Sequence, residues 1–386
     1  MPRLKYGWTT LALASALAVA GWAVPAPASA QTVKIGVITD RTGNAAFYAG
    51  QIETGLNLAL KEINAAGGVN GQKIEILYED DQNKPDLSAT KARKLVGEGA
   101  VVILSISSST TTQQAQSVTL ETKTPHIAPA NSADTLTTRL DNPYFFQMGP
   151  LGSDQMRTLI NYTGKRFKKV ALLSDSTGLS TLTAKDFKNE MTKAGIEVVV
   201  EQVIEIGATD VVPQLQRIRA ANPDAIVVAA ISIAEVTLFF RGYHQLGLKY
   251  PVLASYNLSV PAYLDLAPNL LNGTFFVDVF DPDKVQAKQF IDKYTAEYKK
   301  APFGLPAFGY DAVYFVADAV KRAGSSTDKE KVRQAIADTK NFVGVIAAKD
   351  TALGFPPNKR TGYPPKGSVI RVIENNKHGK VVSSGY

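Results

Sequence analysis

The feature that most constrains the fold is a strand–loop–helix pattern near the start of the chain. Residues 33–60 read VKIGVITDRTGNAAFYAGQIETGLNLAL. The opening run is rich in β-branched apolar residues, which favours a buried strand. Apolar residues then recur at Ile52, Leu56, Ala59 and Ile63, the spacing of a helix with one buried face. A strand, a loop and a helix form the first half of a βαβ unit, so the pattern predicts an α/β fold.

The same alternation continues along most of the chain. Short apolar runs and helical patterns alternate over residues 74–128, and a second series begins after the turn signal Gly149-Pro150. Repeated βα order is typical of parallel sheets with right-handed crossovers. The sequence therefore predicts two doubly wound parallel-sheet lobes that are joined by a hinge of crossing strands.

The predicted organisation assigns every residue to a signal segment or to one of the two lobes. The ranges are 1–30 for the signal peptide, 31–149 plus 275–350 for the N-terminal lobe, and 150–274 plus 351–386 for the C-terminal lobe. The chain is expected to pass between the lobes three times, near residues 148–151, 272–274 and 344–354. Each lobe then has the size of a common domain.

Residues 1–30 have the composition of a secretion signal. Arg3 and Lys5 precede a short apolar run, and Ala28-Ser29-Ala30 matches the A-x-A cleavage pattern. The run is shorter than the roughly 20 residues that span a bilayer, which disfavours a transmembrane anchor. The chain contains no cysteine, so disulfides, a thiol nucleophile and a lipidated cysteine are excluded. An exported chain without disulfides, cleaved near Ala30, fits the bacterial periplasm better than the eukaryotic exterior.

Several classes of function find no support in the sequence. The net charge is +7, but lysine and arginine are scattered rather than clustered, so no nucleic-acid partner is expected. His126, His244 and His378 have no metal-ligand spacing. No phosphate-binding glycine motif and no G-x-S-x-G motif is present. We therefore expect no catalytic residue, metal or cofactor, which disfavours an exported enzyme.

Polar segments follow two neighbouring strands of the first predicted sheet. Residues 107–112 are all serine or threonine, and Asn131 and Ser132 follow the next strand. Hydroxyl and free N–H groups at a helix N-terminus can bind an anion, although ordinary caps and turns use the same residues. Because the carboxyl ends of parallel strands meet at one edge, both segments are predicted to line a ligand crevice. Either Phe47 or Tyr48, on the first loop, is expected to face it.

Longer segments resemble a known family. The stretch TGNAAFYAGQIETGLNLALKEINAAGGVNG, followed by IEILYEDD, SISSST and PANSADTL, is similar to periplasmic branched-chain amino acid binding proteins. FFRGYHQLGLKYPVLAS and FGYDAVYFVADAV extend the resemblance over nearly the whole mature chain. The resemblance implies the type I periplasmic-binding fold and the role of solute receptor for an ABC importer.

The resemblance also implies a set of ligand-binding residues. The hydroxyl run and the next strand-end loop would hold the ligand carboxylate, and an aromatic residue on the first loop would cover the ligand. Three further positions of the cleft lie in the second lobe. The implied residues, in chain order, are Tyr48, Ser107, Ser108, Asn131, Ser132, Leu179, Ser232 and Tyr256.

Two positions depart from the family pattern. Tyr256 stands in the loop where members that bind α-amino acids offer an acidic residue to the ligand ammonium. Leu179 stands where they often carry an aromatic residue followed by glycine. A buried ammonium without a counter-charge is costly, so an aromatic or dicarboxylic acid fits as well as an amino acid. Glu235 and Asp278 are alternative sources of the missing acid.

The sequence thus predicts a non-enzymatic periplasmic protein that binds a small carboxylate-bearing solute between its lobes. Hinge closure would present the solute to an ABC permease in the inner membrane, and we expect the protein to be a monomer. An exported sensor of the same fold that feeds a signalling partner is the alternative. A sugar-binding relative or a transcriptional regulator is disfavoured, since the resemblance lies elsewhere and a signal peptide takes the place of a DNA-binding headpiece.

Overall fold

The apolar run that opens the pattern forms an inner strand of a five-stranded parallel sheet. The structure, a computed structural model, describes residues 1–4, 7 and 32–385. The strands are β1 (Val33–Thr39), β2 (Ile74–Asp80), β3 (Val102–Ser105), β4 (His126–Ala128) and β5 (Phe145–Gln147). Their order is β2-β1-β3-β4-β5, and every pairing is parallel. The predicted βαβ series of the first lobe is confirmed.

Helices connect these strands and cover both faces of the sheet. They are α1 (Ala46–Ala65), α2 (Pro85–Gly97) and α3 (Ser109–Glu121), with a short 3-10 helix at Asp134–Thr137. Ile52, Leu56 and Ile63 of α1 are buried, as their helical spacing predicts. The carboxyl ends of β1, β3 and β4 all meet at the edge of the sheet where the polar segments begin.

The second lobe is built on a seven-stranded sheet of order β12-β11-β10-β9-β8-β6-β7. Its parallel strands are β6 (Lys169–Asp175), β7 (Glu197–Ile204), β8 (Ala225–Val228), β9 (Val252–Ala254) and β10 (Phe275–Asp278). An antiparallel hairpin of β11 (Val369–Glu374) and β12 (Lys377–Ser384) adds one edge. The connecting helices are α4 (Gly152–Gly164), α5 (Gly178–Lys193), α6 (Val212–Ala221), α7 (Ile233–Gln245) and α8 (Ala262–Leu266), with a 3-10 helix at Tyr256–Ser259.

After β10 the chain returns to the first lobe as α9 (Val285–Tyr298), α10 (Gly304–Ala323) and α11 (Lys329–Ala337). Helices α10 and α1 touch backbone to backbone, because a side chain at Gly55 or at Gly309 would overlap the opposite helix. Glu62 of α1 accepts hydrogen bonds from the hydroxyls of Tyr310 and Tyr314, each at 2.8 Å. These contacts attach the late helices to the first lobe.

The second passage between the lobes lies later than predicted. Residues from 275 onward were expected in the N-terminal lobe, but Phe275–Asp278 pairs with β9 and β11 in the second sheet. The chain leaves that sheet only after Asp278. The four residues of this strand suit either sheet equally well, so composition alone could not place it.

The third passage also differs from the prediction. Phe342 and Leu353 pair with each other, so the segment between them loops out and returns instead of crossing. Thr361 still pairs with Gln147 at the edge of the first sheet, and β11 enters the second sheet at Val369. The crossing therefore lies at residues 362–368, and the residues just after 350 stay with the first lobe. Isolated bridges of this kind leave no periodic trace in a sequence.

The predicted signal peptide and its cleavage site near Ala30 lie outside the described residues, apart from residues 1–4 and 7. Gln31–Tyr386 form one compact unit. Within the described part of the chain, no helix combines the length and the hydrophobicity needed to cross a membrane.

Candidate functional site

The loop after β1 is held rigid by carboxylates of the first lobe. Asp40 accepts hydrogen bonds from the backbone N–H groups of Gly43 and Ala45. Asp80, at the end of β2, accepts from the Arg41 N–H at 3.0 Å and from the Thr42 hydroxyl at 2.7 Å. Two neighbouring strand ends are thereby tied together. The loop leads directly into the first turn of α1, which carries the aromatic residues of the mouth.

Tyr48 lies in that first turn and faces the other lobe. It is 43% exposed, and its ring meets Phe47 edge-on at 5.5 Å between centroids. Burial raises the pKa values of Tyr256 and Tyr263 in the second lobe, and the nearby Tyr48 contributes to both shifts. Tyr48 is therefore close to two tyrosines across the interlobe space.

The hydroxyl run forms the start of α3. Ser108 is the N-cap residue, and its hydroxyl accepts a hydrogen bond from the Thr111 N–H at 3.4 Å. The Ser107 hydroxyl donates to the buried Asp81 at 2.9 Å. The first N–H groups of any helix have no partner within the helix, and they carry a partial positive charge. This end of α3 can therefore donate hydrogen bonds to an anion.

The loop after β4 is joined to the same corner. The side-chain amide of Asn131 donates to the Ser107 carbonyl at 3.0 Å, and Asn131 is only 7% exposed. Ser132 is half-buried, and its hydroxyl forms no hydrogen bond with the described residues. The structure thus brings Ser107, Ser108, Asn131 and Ser132 to one edge of the first sheet.

In the second lobe, one carboxylate organises the corresponding edge. Asp175 ends β6 and accepts hydrogen bonds from the N–H groups of Thr177 (3.0 Å), Ile231 (2.7 Å) and Ser232 (2.9 Å). Burial opposes ionisation of Asp175, but the hydrogen bonds from Ser232, Thr177 and Ile231 outweigh it and lower the pKa of Asp175. Asp175 was not among the predicted site residues, although the polar run after its strand follows the pattern used for the first lobe.

Ser232 is occupied within the protein. It is the N-cap residue of α7, and its hydroxyl donates to Glu235 of the same helix. Glu235 also accepts from the Gly207 N–H at 2.9 Å. Glu235 therefore links Ser232 to the loop that contains Gly207, and the Ser232 hydroxyl already donates its proton to Glu235.

Tyr256 and Leu179 occupy the second-lobe side of the interlobe space in different ways. The Tyr256 hydroxyl is buried and has no hydrogen-bond partner among the described residues. It lies so close to Gly304 that a Cβ there would approach it to 2.9 Å. Leu179, in the first turn of α5, is 65% exposed.

A cavity of about 750 Å³ lies between the lobes at these edges. Its first-lobe wall is Ser132, Ala133 and Asp134, and its second-lobe wall includes the start of α4, the length of α5 from Leu179 to Lys193, and the loop after β9. Of the predicted residues, Ser132, Leu179 and Tyr256 line it. Tyr48, Ser107, Ser108, Asn131 and Ser232 do not line it and lie at or behind the same strand ends. The lining residues that sequence reasoning missed include Ile231, Val277 and Asn257.

A model of the periplasmic binding protein family matches residues 32–360. The chain belongs to this family. It is 28% identical to Leu/Ile/Val-binding protein homolog 3 of Brucella melitensis over 356 residues, which cover 91% of this chain and 94% of that protein. It is 27% identical to the leucine-, isoleucine-, valine-, threonine- and alanine-binding protein of Pseudomonas aeruginosa, covering 84% and 87% of the two chains.

Solved structures agree with this assignment. The branched-chain amino acid transporter substrate-binding protein LivJ of Streptococcus pneumoniae, in complex with isoleucine, superimposes with a TM-score of 0.77. It is 25% identical and covers 92% of this chain and 100% of its own. A solute-binding protein of an ABC transporter from Rhodopseudomonas palustris BisB5, in complex with 3,4-dihydroxy benzoic acid, has a TM-score of 0.75 at 22% identity, covering 92% and 97%. At that identity the second likeness concerns the fold alone.

These matches confirm the predicted family and fold. The protein is a type I periplasmic binding protein of the branched-chain amino acid family, an ABC-type substrate-binding protein. Members of the family bind small amino acid solutes and are not enzymes, and they work with ABC permeases. Membership implies a periplasmic location.

Proposed function

We propose that this protein binds a small carboxylate-bearing solute between its lobes, closes around it and presents it to an ABC permease of the inner membrane. The supporting observation is the interlobe cavity, which is lined by Ser132 of the first lobe and by Tyr256 of the second. Amino acids, aromatic acids and dicarboxylic acids all carry the required group. Export through a signal cleaved near Ala30 and a monomeric state belong to the same proposal.

The first lobe would hold the carboxylate. The Ser132 hydroxyl lines the cavity and has no partner among the described residues, and the Ser108 hydroxyl and the first N–H groups of α3 lie behind it at the same corner. Ser107 and Asn131 would position this corner, because each already bonds to a neighbouring element. Hydrogen bonds to a charged acceptor contribute roughly 1.5–3 kcal/mol each, so two or three account for most of a useful affinity.

The second lobe would make ligand binding favour closure. A ligand shifts a conformational equilibrium only through its different affinity for the two states. A solute held by the first lobe gains contacts with Tyr256 and Leu179 only when the lobes approach each other. A micromolar Kd corresponds to about 8 kcal/mol, which is enough to favour closure that costs a few kcal/mol.

Calorimetry on the refolded chain from Gln31 onward tests this proposal. Unfolding and refolding removes any solute that co-purifies, and tryptophan fluorescence is excluded because Trp8 and Trp22 precede Gln31. The panel contains leucine, aromatic carboxylates, dicarboxylates and the corresponding amides. We expect at least one carboxylate to bind and its amide to fail. X-ray scattering should show a smaller radius of gyration for the complex.

Variants then locate the site. Ser108→Ala and Ser132→Ala should each raise Kd by about 10- to 100-fold, the equivalent of one hydrogen bond to a charged group. Ser117→Ala is the matched control, since Ser117 is an exposed residue of the same helix whose hydroxyl bonds to the Gln114 carbonyl. Carboxylate binding that is indifferent to Ser108 and Ser132 would place the site elsewhere. If no compound of the panel binds, the result would favour the alternative that the protein is an exported sensor of the same fold.

A further inference from the structure

The buried acidic side chains around the cleft already accept hydrogen bonds within the protein, whereas the buried hydroxyl of Tyr256 has no partner among the described residues. We propose that the solute is a carboxylic acid without an α-ammonium group, and that its far end carries a neutral hydroxyl or carbonyl oxygen bound by Tyr256. This inference rests on the proposed function and narrows its ligand class. It separates deamino acids from the amino acids they resemble.

An ammonium group enclosed between the lobes needs a nearby anion, since an unpaired buried charge is costly. Asp175 already accepts hydrogen bonds from the N–H groups of two loops. Glu235 already accepts hydrogen bonds from the Gly207 N–H and from the Ser232 hydroxyl. Neither carboxylate could turn to a ligand without leaving backbone N–H groups of the second lobe unpaired.

Asp278 is engaged even more completely. One of its oxygens pairs with Arg371 at 2.8 Å, and the other accepts from the N–H groups of Val279 (2.7 Å) and Phe280 (3.2 Å). Arg371 in turn donates to the carbonyls of Gly379 and His378. Asp278 therefore has its charge paired inside the protein and does not serve as the counter-charge for a ligand ammonium.

The first lobe offers no better partner. Asp40 is held by two N–H groups of its own loop. Asp81 has one oxygen without a hydrogen bond, but it is fully buried behind Ser107, which donates to its other oxygen. The three other acidic residues of the cavity lie only at its exposed rim: Asp134, Asp186 and Glu190. Exposed ion pairs contribute about 0–1 kcal/mol, too little to replace a buried counter-charge.

Tyr256 supplies what the carboxylates do not. Its hydroxyl is buried beside that of Ser259, neither hydroxyl forms a hydrogen bond of ordinary geometry with the described residues, and Tyr256 lines the cavity. Burial raises the pKa of Tyr256, so the phenol keeps its proton and can donate it. Tyr263 differs, since its hydroxyl already donates to the Ile231 carbonyl at 2.6 Å. A ligand oxygen at Tyr256 would satisfy a group that otherwise costs roughly 1–3 kcal/mol to bury.

Calorimetry with matched pairs tests the missing ammonium. The pairs are leucine with isocaproate, phenylalanine with hydrocinnamate, and tyrosine with phloretate, and the members of each pair differ only in the α-ammonium. We expect the deamino acid to bind about 10-fold or more tightly in the pair that fits best, or 1.4 kcal/mol. Equal or tighter binding of the amino acid overturns this inference and leaves the proposed function standing. If no member of any pair binds, this inference fails, and the proposed function stands only if another carboxylate of the wider panel binds.

The role of Tyr256 has its own test. Phloretate carries a hydroxyl that hydrocinnamate lacks, so their affinity ratio measures recognition of that hydroxyl. We expect Tyr256→Phe to bring a ratio of about 10 close to 1, the loss of one hydrogen bond. Tyr263→Phe is the matched control and should keep the ratio. A ratio unchanged in Tyr256→Phe would overturn the assignment of the far end, even if Ser108→Ala still weakens both ligands.

Discussion

The two lobes share one strand order and differ in what they place at the cleft. The first sheet runs β2-β1-β3-β4-β5, and the second repeats this order as β7-β6-β8-β9-β10 before it adds a hairpin. The loops after β3 and β4 therefore correspond to those after β8 and β9. In the first lobe these loops carry Ser132, whose hydroxyl has no partner among the described residues, and in the second they carry Tyr256 and Ser232, whose hydroxyl is bonded to Glu235. Equivalent positions of one scaffold thus hold different chemistry.

The comparison extends to the carboxylate that follows the first strand of each sheet. Asp40 receives two N–H groups from its own loop. Asp175 receives N–H groups from its own loop and from the loop after β8. In the first lobe, the side chain that links β3 to β4 is an amide, Asn131. In the second lobe, a single carboxylate therefore holds the loops at the strand ends together. In the first lobe, several side chains share this role.

Removing these carboxylates should produce the largest difference between the lobes. Asp175→Ala deletes the acceptor of three N–H groups, and we expect the free energy of unfolding to fall by about 4 kcal/mol. Asp40→Ala deletes the acceptor of two, and a loss of about 2 kcal/mol is expected. Urea unfolding of both variants at neutral pH measures the difference. Equal losses would mean that the second lobe does not depend on one charge.

The Asp175 effect should also depend on pH. Because the folded pKa of Asp175 is lowered, its contribution is fully present above the ordinary aspartate pKa of 3.8 and is lost as the pH falls through the folded value. The difference in the free energy of unfolding between the original protein and Asp175→Ala should therefore become smaller under acid conditions.

Each lobe also has one histidine whose pKa is lowered by desolvation, the buried His126 and the half-buried His378, and both should lower the stability in acid. Desolvation lowers the pKa of His126 to about 3, and desolvation together with Arg371 lowers the pKa of His378 to about 4. Between about pH 6.5 and those values the unfolded chain binds more protons than the folded one, so stability falls as the pH falls. Each histidine contributes up to about 1.4 kcal/mol per pH unit to this loss.

Urea unfolding across this pH range checks that expectation. His126→Gln and His378→Gln should each lose stability at neutral pH and show a shallower decline in acid than the original protein. His244→Gln is the control for loss of a histidine, since His244 is exposed. A decline that stays equally steep in His126→Gln would show that burial does not keep this histidine neutral.

Local pattern predicted the alternating strands and helices of both lobes, but not the tertiary contacts that organise the second-lobe side of the cleft. The strand and helix at residues 33–60 follow from periodicity, and the polar strand ends follow from the geometry of parallel sheets. The role of Asp175 depends on N–H groups that lie 56 and 57 residues further along the chain. The occupied state of the Ser232 hydroxyl and the true positions of the later crossings also depend on tertiary pairing. Such contacts leave no mark in a short window of sequence.

The two N-cap serines separate recognition from stability. Ser108→Ala should weaken carboxylate binding by about 10-fold or more and cost about 1 kcal/mol of stability, the usual value of a cap. Ser232 makes no cap hydrogen bond through its side chain, so Ser232→Ala should cost about 1 kcal/mol through loss of the hydrogen bond to Glu235, while affinity changes less than about 3-fold. Titration calorimetry and thermal unfolding on both variants give the two quantities. Equal losses of affinity in Ser108→Ala and Ser232→Ala would contradict the proposal that only Ser108 takes part in ligand recognition.

The smallest effects are expected at the two exposed apolar residues of the mouth, Tyr48 in the first lobe and Leu179 in the second. Both are substantially exposed, so replacing either with Ala should change the stability of the ligand-free protein by no more than about 0.5 kcal/mol. If closure buries these side chains, replacing either one should weaken ligand binding and raise Kd. Tyr48→Ala should then raise Kd more than Leu179→Ala, because Tyr48 already lies near Tyr256 and Tyr263, whereas Leu179 is 65% exposed. A reversed order would place the ligand nearer to α5 and weaken the case for Tyr256 as its partner.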